Sequence, residues 1–200
     1  MRSDFLENET YRFIFSAMKY ENALILRTCL ETGLRVGDVC ALPRSALQDN
    51  IIHYTAQKTG KSGKITISTD LANRIRKNNG KWLFPSPHDF SKHRTRQAVW
   101  RDMRLACSRL GIKEHASPHS ARKTFAVDLY HKKGLKTVQK ALQHDKIETT
   151  LLYALSDSTL RGDFTKNVEK DVENLPKSFD FEGFAELVAQ RVYEKIKGNA

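Results

Sequence analysis

No stretch of this 200-residue chain approaches the roughly 20 apolar residues that a helix needs to cross a bilayer. Its opening, MRSDFLENETYRF, mixes acidic, basic and polar residues where a secretory signal would place an apolar core. Neither a membrane span nor export is expected. Cysteine is scarce: Cys29, Cys40 and Cys107 sit in apolar or helical contexts, at spacings that suit neither a disulfide framework nor a zinc site. Buried free thiols are the expected state, because cysteine packs as a small hydrophobe. Internal repeats and low-complexity tracts are lacking as well. The length permits one well-formed core with a small appendage, and not two large domains.

Positive charge is abundant. The net charge is +11, and its placement is uneven. From Asp157 onward seven basic residues face nine acidic ones, so the preceding part carries the whole excess. Between Arg74 and Arg109 ten basic residues stand against only Asp89 and Asp102. Such a stripe suits a polyanion, since each phosphate neutralised releases condensed counterions. Solubility alone also makes many unrelated proteins basic, so charge narrows the function without fixing it.

The periodicity predicts a mainly α protein with a small antiparallel β-sheet, an α+β class. Helical spacing runs from Glu9 to Cys29 through Phe13, Ala17, Leu24 and Leu26, with a break near Lys19 to Asn22. Gly33 is suited to close that helix, and Val36, Val39, Cys40 and Leu42 give the apolar side of a short one ended by Pro43. Ile51 to Thr55 and Lys64 to Ser68 read as two strands joined by the glycines of TGKSG. Leu71 to Lys77 is a short helix and WLFPSPHDF an extended segment. Thr95 to Leu110 returns to helix, with Val99, Met103, Ala106 and Leu110 inward. The next helix starts near Pro118 and stops at Gly134, with Phe125, Leu129 and Val127 inward. Helices are expected over Leu135 to Leu142 and Ile147 to Leu155. Asn167 to Ser178 reads as a linker, and Phe181, Phe184, Val188, Val192 and Ile196 form the stripe of a last amphipathic helix.

Covalent cleavage of a DNA backbone requires guanidinium groups to hold the phosphate, a nucleophile, and groups to manage protons. Arg35 follows the helix-closing glycine, with Asp38 three positions on. His119 and Arg122 share a helix face. Lys58 lies at the hairpin turn, and His144 precedes Tyr153 by nine positions. Singly, each has a plain structural alternative. An arginine is usually solvated or salt-bridged, and the lysines Lys58, Lys61 and Lys64 could merely solubilise a turn. The histidines could satisfy caps or loop carbonyls, and Tyr153 is one of six tyrosines, with Tyr11, Tyr20, Tyr54, Tyr130 and Tyr193.

In this order and context the set resembles the tyrosine recombinase, or phage integrase, family over nearly the whole of residues 5–160. TGLRVGDVCAL resembles its first arginine motif, which puts the catalytic arginine at Arg35 and a supporting acid at Asp38. QKTGKSGKITIS is similar to the hairpin that carries the catalytic lysine, Lys58. PHSARKTFA resembles the histidine-x-x-arginine box, giving His119 and Arg122, and LQHDKIETTLLY the closing motif, giving His144 and the nucleophile Tyr153. The resemblance implies phosphate clamping by Arg35 and Arg122, protonation of the leaving 5′ oxygen by Lys58, and a 3′-phosphotyrosyl link on Tyr153. His119 would manage protons and His144 would hydrogen-bond the phosphate. Neither a metal nor another cofactor is implied. The implied partners are double-stranded DNA, three further copies in a homo-tetramer on two DNA sites, and accessory DNA-bending or site-selecting proteins. The expected compartment is the cytoplasm, at the nucleoid.

The resulting expectation is a catalytic domain over 1–165, a linker over 166–179 and a helix over 180–200 that docks on a neighbouring protomer, with folding back of the same stripe onto its own domain left as the alternative. Typical members also carry an N-terminal core-binding domain of about 100 residues, for which this chain has no room. A compact complete protein and the catalytic part of a longer one both fit, the initial methionine slightly favouring the first. Two other functions stay open: a non-catalytic DNA-binding protein with a recombinase-like fold, and a strand-relaxing enzyme like type IB topoisomerase.

Overall fold

The computed structural model of the chain describes residues 6–113, 115–142, 179–180, 182–186 and 189–190. Two helices open it, α1 (Asn8–Ala17) and α2 (Tyr20–Thr32), separated at the expected break. Five more follow: α3 (Val36–Cys40), α4 (Thr69–Arg76), α5 (Arg96–Arg109), α6 (Pro118–Lys133) and α7 (Leu135–Leu142). Between α3 and α4 lies a three-stranded antiparallel sheet in the order β1 (Leu47–Gln48), β2 (Ile51–Thr55), β3 (Ser62–Thr66). Among the described residues, no helix is long and apolar enough to cross a membrane.

The centre of the fold is α2, which lies against α1, α3, α4, α5 and α6. Its sequence explains the position: Leu24, Ile25, Leu26 and Cys29 are buried in succession, which leaves little of the helix for solvent. Tyr11 and Ile14 of α1, Val39 of α3, Ile52 of β2, Leu71 and Ile75 of α4, and Val99 and Met103 of α5 complete this core. Each fully buried side chain of this size contributes about 1.5–3 kcal/mol. A second cluster joins Ala126 and Tyr130 of α6 to Leu135, Val138 and Leu142 of α7. Phe179 is buried in it and Phe184 packs on it, their rings 5.4 Å apart, so these two C-terminal residues lie against α6 and α7 of the same chain.

Local chemistry sets the element ends that matter for the site. Gly33 closes α2 in the left-handed conformation, φ 68°, and its N–H donates to Cys29 O at 2.8 Å. Ser117 caps α6: its hydroxyl accepts from the His119 N–H, and Ser120 Oγ accepts from the Ser117 N–H, both at 3.2 Å. Pro118 then occupies the first turn, where its missing N–H costs nothing.

Four sequence expectations need correction. Phe13 faces solvent, 64% exposed, because Tyr11 and Ile14 take the inward side of α1. Leu110 is 39% exposed, since α5 ends at Arg109 and Gly111, at φ 66°, turns the chain away before Leu110 can face the core. The last strand spans 62–66 and not 64–68, which sets Gly63 opposite Tyr54. A side chain at 63 would meet the Tyr54 ring, as an ideal Cβ falls 2.8 Å from its hydroxyl. Finally, two-residue β1 is too short to leave a period in the sequence. The expected helix over Ile147 to Leu155, the linker, and most of the last helix lie outside the described residues.

Candidate active site

Three of the expected site residues converge where α2, α3 and α6 meet. Arg35 is the residue before α3 and stays partly accessible. One turn into α6, Arg122 is buried, 4% exposed, and its guanidinium spans two chain segments: Nη1 donates to Gly33 O at 2.5 Å and Nη2 to Leu142 O at 2.8 Å. Gly33 is two residues from Arg35, so the same contact fixes the loop that presents it. His119 lies one helical turn before Arg122 and within the electrostatic reach of Arg122, Lys123 and Arg35.

That neighbourhood determines the state of His119. Crowding by protein atoms, followed by the positive charges of Lys123, Arg122 and Arg35, pushes its imidazole down to about 4. The ring retains solvent contact. At neutral pH it is therefore an uncharged base able to accept a proton. The folded-state value lies below the ordinary 6.5, so as pH falls through that value the unfolded chain takes up a proton that the folded chain refuses. Stability is therefore lost progressively from about pH 6.5 towards about pH 4. A titration of the His119 ring followed by NMR should give a midpoint far below the ordinary histidine range. A midpoint at 6 or above would contradict this account.

Asp38 connects this corner to the sheet. It is buried, 7% exposed, and its Oδ1 accepts the Gln57 N–H at 3.0 Å. Gln57 immediately precedes Lys58, which is exposed in the turn that β2 and β3 leave between Ala56 and Lys61. That turn is closed by Ala56 N–H to Lys61 O at 2.9 Å and Gly60 N–H to Ala56 O at 2.8 Å, with Gly60 at φ 67°. Asp38 therefore supports the base of the lysine-bearing turn, and four charged residues of the set belong to one connected frame. His144 and Tyr153 lie outside the described residues.

Most other cysteines and tyrosines in the described part are poor nucleophiles, Tyr20 at the start of α2 being the exception in its exposure, at 49%. Burial pushes the Cys29 thiol well up and that of Cys40 up to about 12, so both remain neutral thiols; Cys107 is buried as well. Burial likewise raises the Tyr11 phenol far above its ordinary value. Tyr130 is 5% exposed in the second cluster, and the Tyr54 ring covers Gly63.

The sequence matches the model of the phage integrase family over residues 4–159. The chain belongs to the phage integrase family. Among its relatives, the integrase of Escherichia phage P2 is 29% identical over 150 residues, covering 75% of this chain and 42% of that protein. Tyrosine recombinase XerD of Rhizobium meliloti (strain 1021) is 33% identical over 134 residues, 61% of this chain and 43% of that one. The chain thus spans less than half the length of these curated relatives. In fold it is similar to a lambda integrase dimer bound to a COC′ core site, with a TM-score of 0.67 and 21% identity, over 77% of this chain and 48% of that one. The tyrosine recombinase catalytic fold expected from the motifs is the fold observed. The stretch matching the phage integrase family includes His144 and Tyr153 and stops short of the C-terminal segment.

The double carbonyl anchor of Arg122 was not foreseen from the motif. Its partners lie 89 residues earlier and 20 later, a separation no local pattern reports. The Ser117–Ser120 capping box was legible in principle, as a serine three residues before another at a helix start.

Proposed function

We propose that this chain is the catalytic part of a site-specific DNA recombinase that cleaves and rejoins strands through a 3′-phosphotyrosyl intermediate. The single observation that carries the proposal is the convergence of Arg35, His119 and Arg122, with the Lys58 turn tied to the same corner through Asp38. Two guanidinium groups there offset the charge that gathers on the phosphorus as a fifth oxygen approaches. Tyr153 Oη attacks the phosphorus and the bond to the 5′ oxygen breaks. Neutral His119 is suited to receive the phenolic proton, and Lys58, on its exposed turn, donates one to the departing oxygen. His144 hydrogen-bonds the phosphate, and Asp38 holds the frame. Because the phosphotyrosyl ester keeps the energy of the original bond, a 5′-hydroxyl of another strand can reverse the step, and the protein's own charges supply the electrostatics without a metal or nucleotide.

The partner is double-stranded DNA, bound by the stripe between Arg74 and Arg109. Four protomers on two sites would bring two pairs of strands together, and accessory DNA-bending or site-selecting proteins would choose them. The α6–α7 surface that holds Phe179 and Phe184 is the one on which a neighbour's equivalent segment would dock.

Once inverted repeats flanking the coding sequence are sought by sequencing, a nicked duplex carrying such a repeat tests the cleavage step, because loss of the short fragment traps the covalent product. The wild type is expected to give a protein–DNA adduct on a denaturing gel, with the linked peptide containing Tyr153. Tyr153→Phe should bind the duplex unchanged and give no adduct. An undiminished adduct in that variant would overturn the assignment.

A further inference from the structure

The inward side of α5 is Val99, Met103, Ala106 and Cys107; a second side is not used by the chemistry described so far. Arg96, Trp100 and Arg104 follow one another at four-residue spacing, so they stack along one face. Together with Gln97, His115 and the start of α6 they line a hollow of about 350 Å³. Trp100 is 41% exposed there, although an indole is among the side chains with most to gain from burial. The hollow is not remote from the phosphate site. His119 forms part of its wall, and so does Val36, the residue after Arg35.

An aromatic face between two guanidinium groups, with a carboxamide beside it, is the chemistry that recognises a nucleotide: a flat base to stack, phosphates to pair, a base edge to hydrogen-bond. The volume lies in the range of small-ligand pockets, about 300–1,000 Å³. Paired DNA has no base available to enter such a hollow, whereas strand exchange must unpair bases next to the cut before the freed end can join a new partner. Unpairing is costly, and stacking on an aromatic ring offsets part of that cost.

We propose that the hollow holds the base of an unpaired nucleotide adjoining the scissile phosphate, stacked on Trp100, with Arg96 and Arg104 on flanking phosphates and Gln97 at the base edge. This rests on the assignment of Arg35, His119 and Arg122 to the scissile phosphate, because those residues set that phosphate at the mouth of the hollow. The alternative occupant is sugar-phosphate backbone alone, which would use the arginines and leave the indole without a role.

Two single-stranded oligomers of equal length and charge separate these cases, one of thymidine nucleotides and one with abasic sugars throughout. The chain has two tryptophans, so Trp82→Phe leaves Trp100 as the sole indole reporter. The thymidine oligomer is expected to quench Trp100 fluorescence and to bind about tenfold more tightly than the abasic one. Trp100→Ala should remove that difference while leaving abasic binding within about twofold, and Trp100→Phe, which keeps an aromatic face, should restore most of it. Equal quenching and equal affinity for the two oligomers would overturn the base pocket and leave the cleavage assignment standing. Failure of both oligomers to bind would likewise overturn the base pocket, while the cleavage assignment is decided separately by the adduct on duplex DNA.

Discussion

Replacing Arg122 with alanine is expected to abolish DNA cleavage and to cost about 2–4 kcal/mol of folding stability, since two buried carbonyls each lose a charge-assisted hydrogen bond. Gly33 O lies at the C-cap of α2, where a helix carries unsatisfied acceptors, and Leu142 O belongs to the last described residue of α7. No other chain group is placed by the fold to bridge them in the described part. Lysine should recover charge without recovering the bridge, because a single ammonium cannot reproduce the planar fork that reaches both oxygens. Arg122→Lys is therefore expected to fall between wild type and alanine in urea midpoint and to remain inactive in adduct formation. Wild-type stability in Arg122→Ala would refute the structural half of this account, and retained cleavage the chemical half.

Gly33→Ala should be nearly as damaging, though no charge is touched. A non-glycine residue at φ 68° costs about 1 kcal/mol by itself. The added Cβ would also fall 2.3 Å from Phe125 Cδ1 and 2.6 Å from Cε1, so the ring must shift within α6, at a further cost of about 1–3 kcal/mol. Phe125 is three residues from Arg122, and its displacement is expected to disturb the arginine. Denaturation of the single and double variants checks the mechanism: Phe125→Ala should cost much less in the Gly33→Ala background than in the wild type. Additive effects would show that the clash does not operate.

Most helices were legible because their ends carry local chemistry. Gly33, Pro118 and Gly134 mark boundaries within a residue of where they fall, and helix runs from Leu135 as expected up to Leu142, the last described residue of that stretch. The hairpin was legible from its glycines, but its register was not, because the alternation of Lys64 to Ser68 says nothing of Tyr54 needing Gly63 across the ladder. Facing errors at Phe13 and Leu110 arose where helices end or lie at the margin of the core, so that helical spacing alone does not select the buried side. For the site, residue types and order nominated Arg35, Lys58, His119 and Arg122 as candidates, while their linkage through Asp38, Gly33 O and Leu142 O depends on contacts far apart in the chain. Trp100 gave no local signal. An aromatic residue at helical spacing usually belongs to a core, and only the hollow beside it distinguishes it.

The buried position of Arg122 also bears on how such a protein would age if its activity were no longer needed. Mutations that drift through an idle enzyme are filtered by folding alone, and Arg122 would survive that filter because its loss leaves two carbonyls stranded. Lys58 would not, being exposed on a turn whose backbone closes without it. In any descendant of this fold, the arginine thus testifies to the architecture, and the lysine at the tip of the hairpin to continued use.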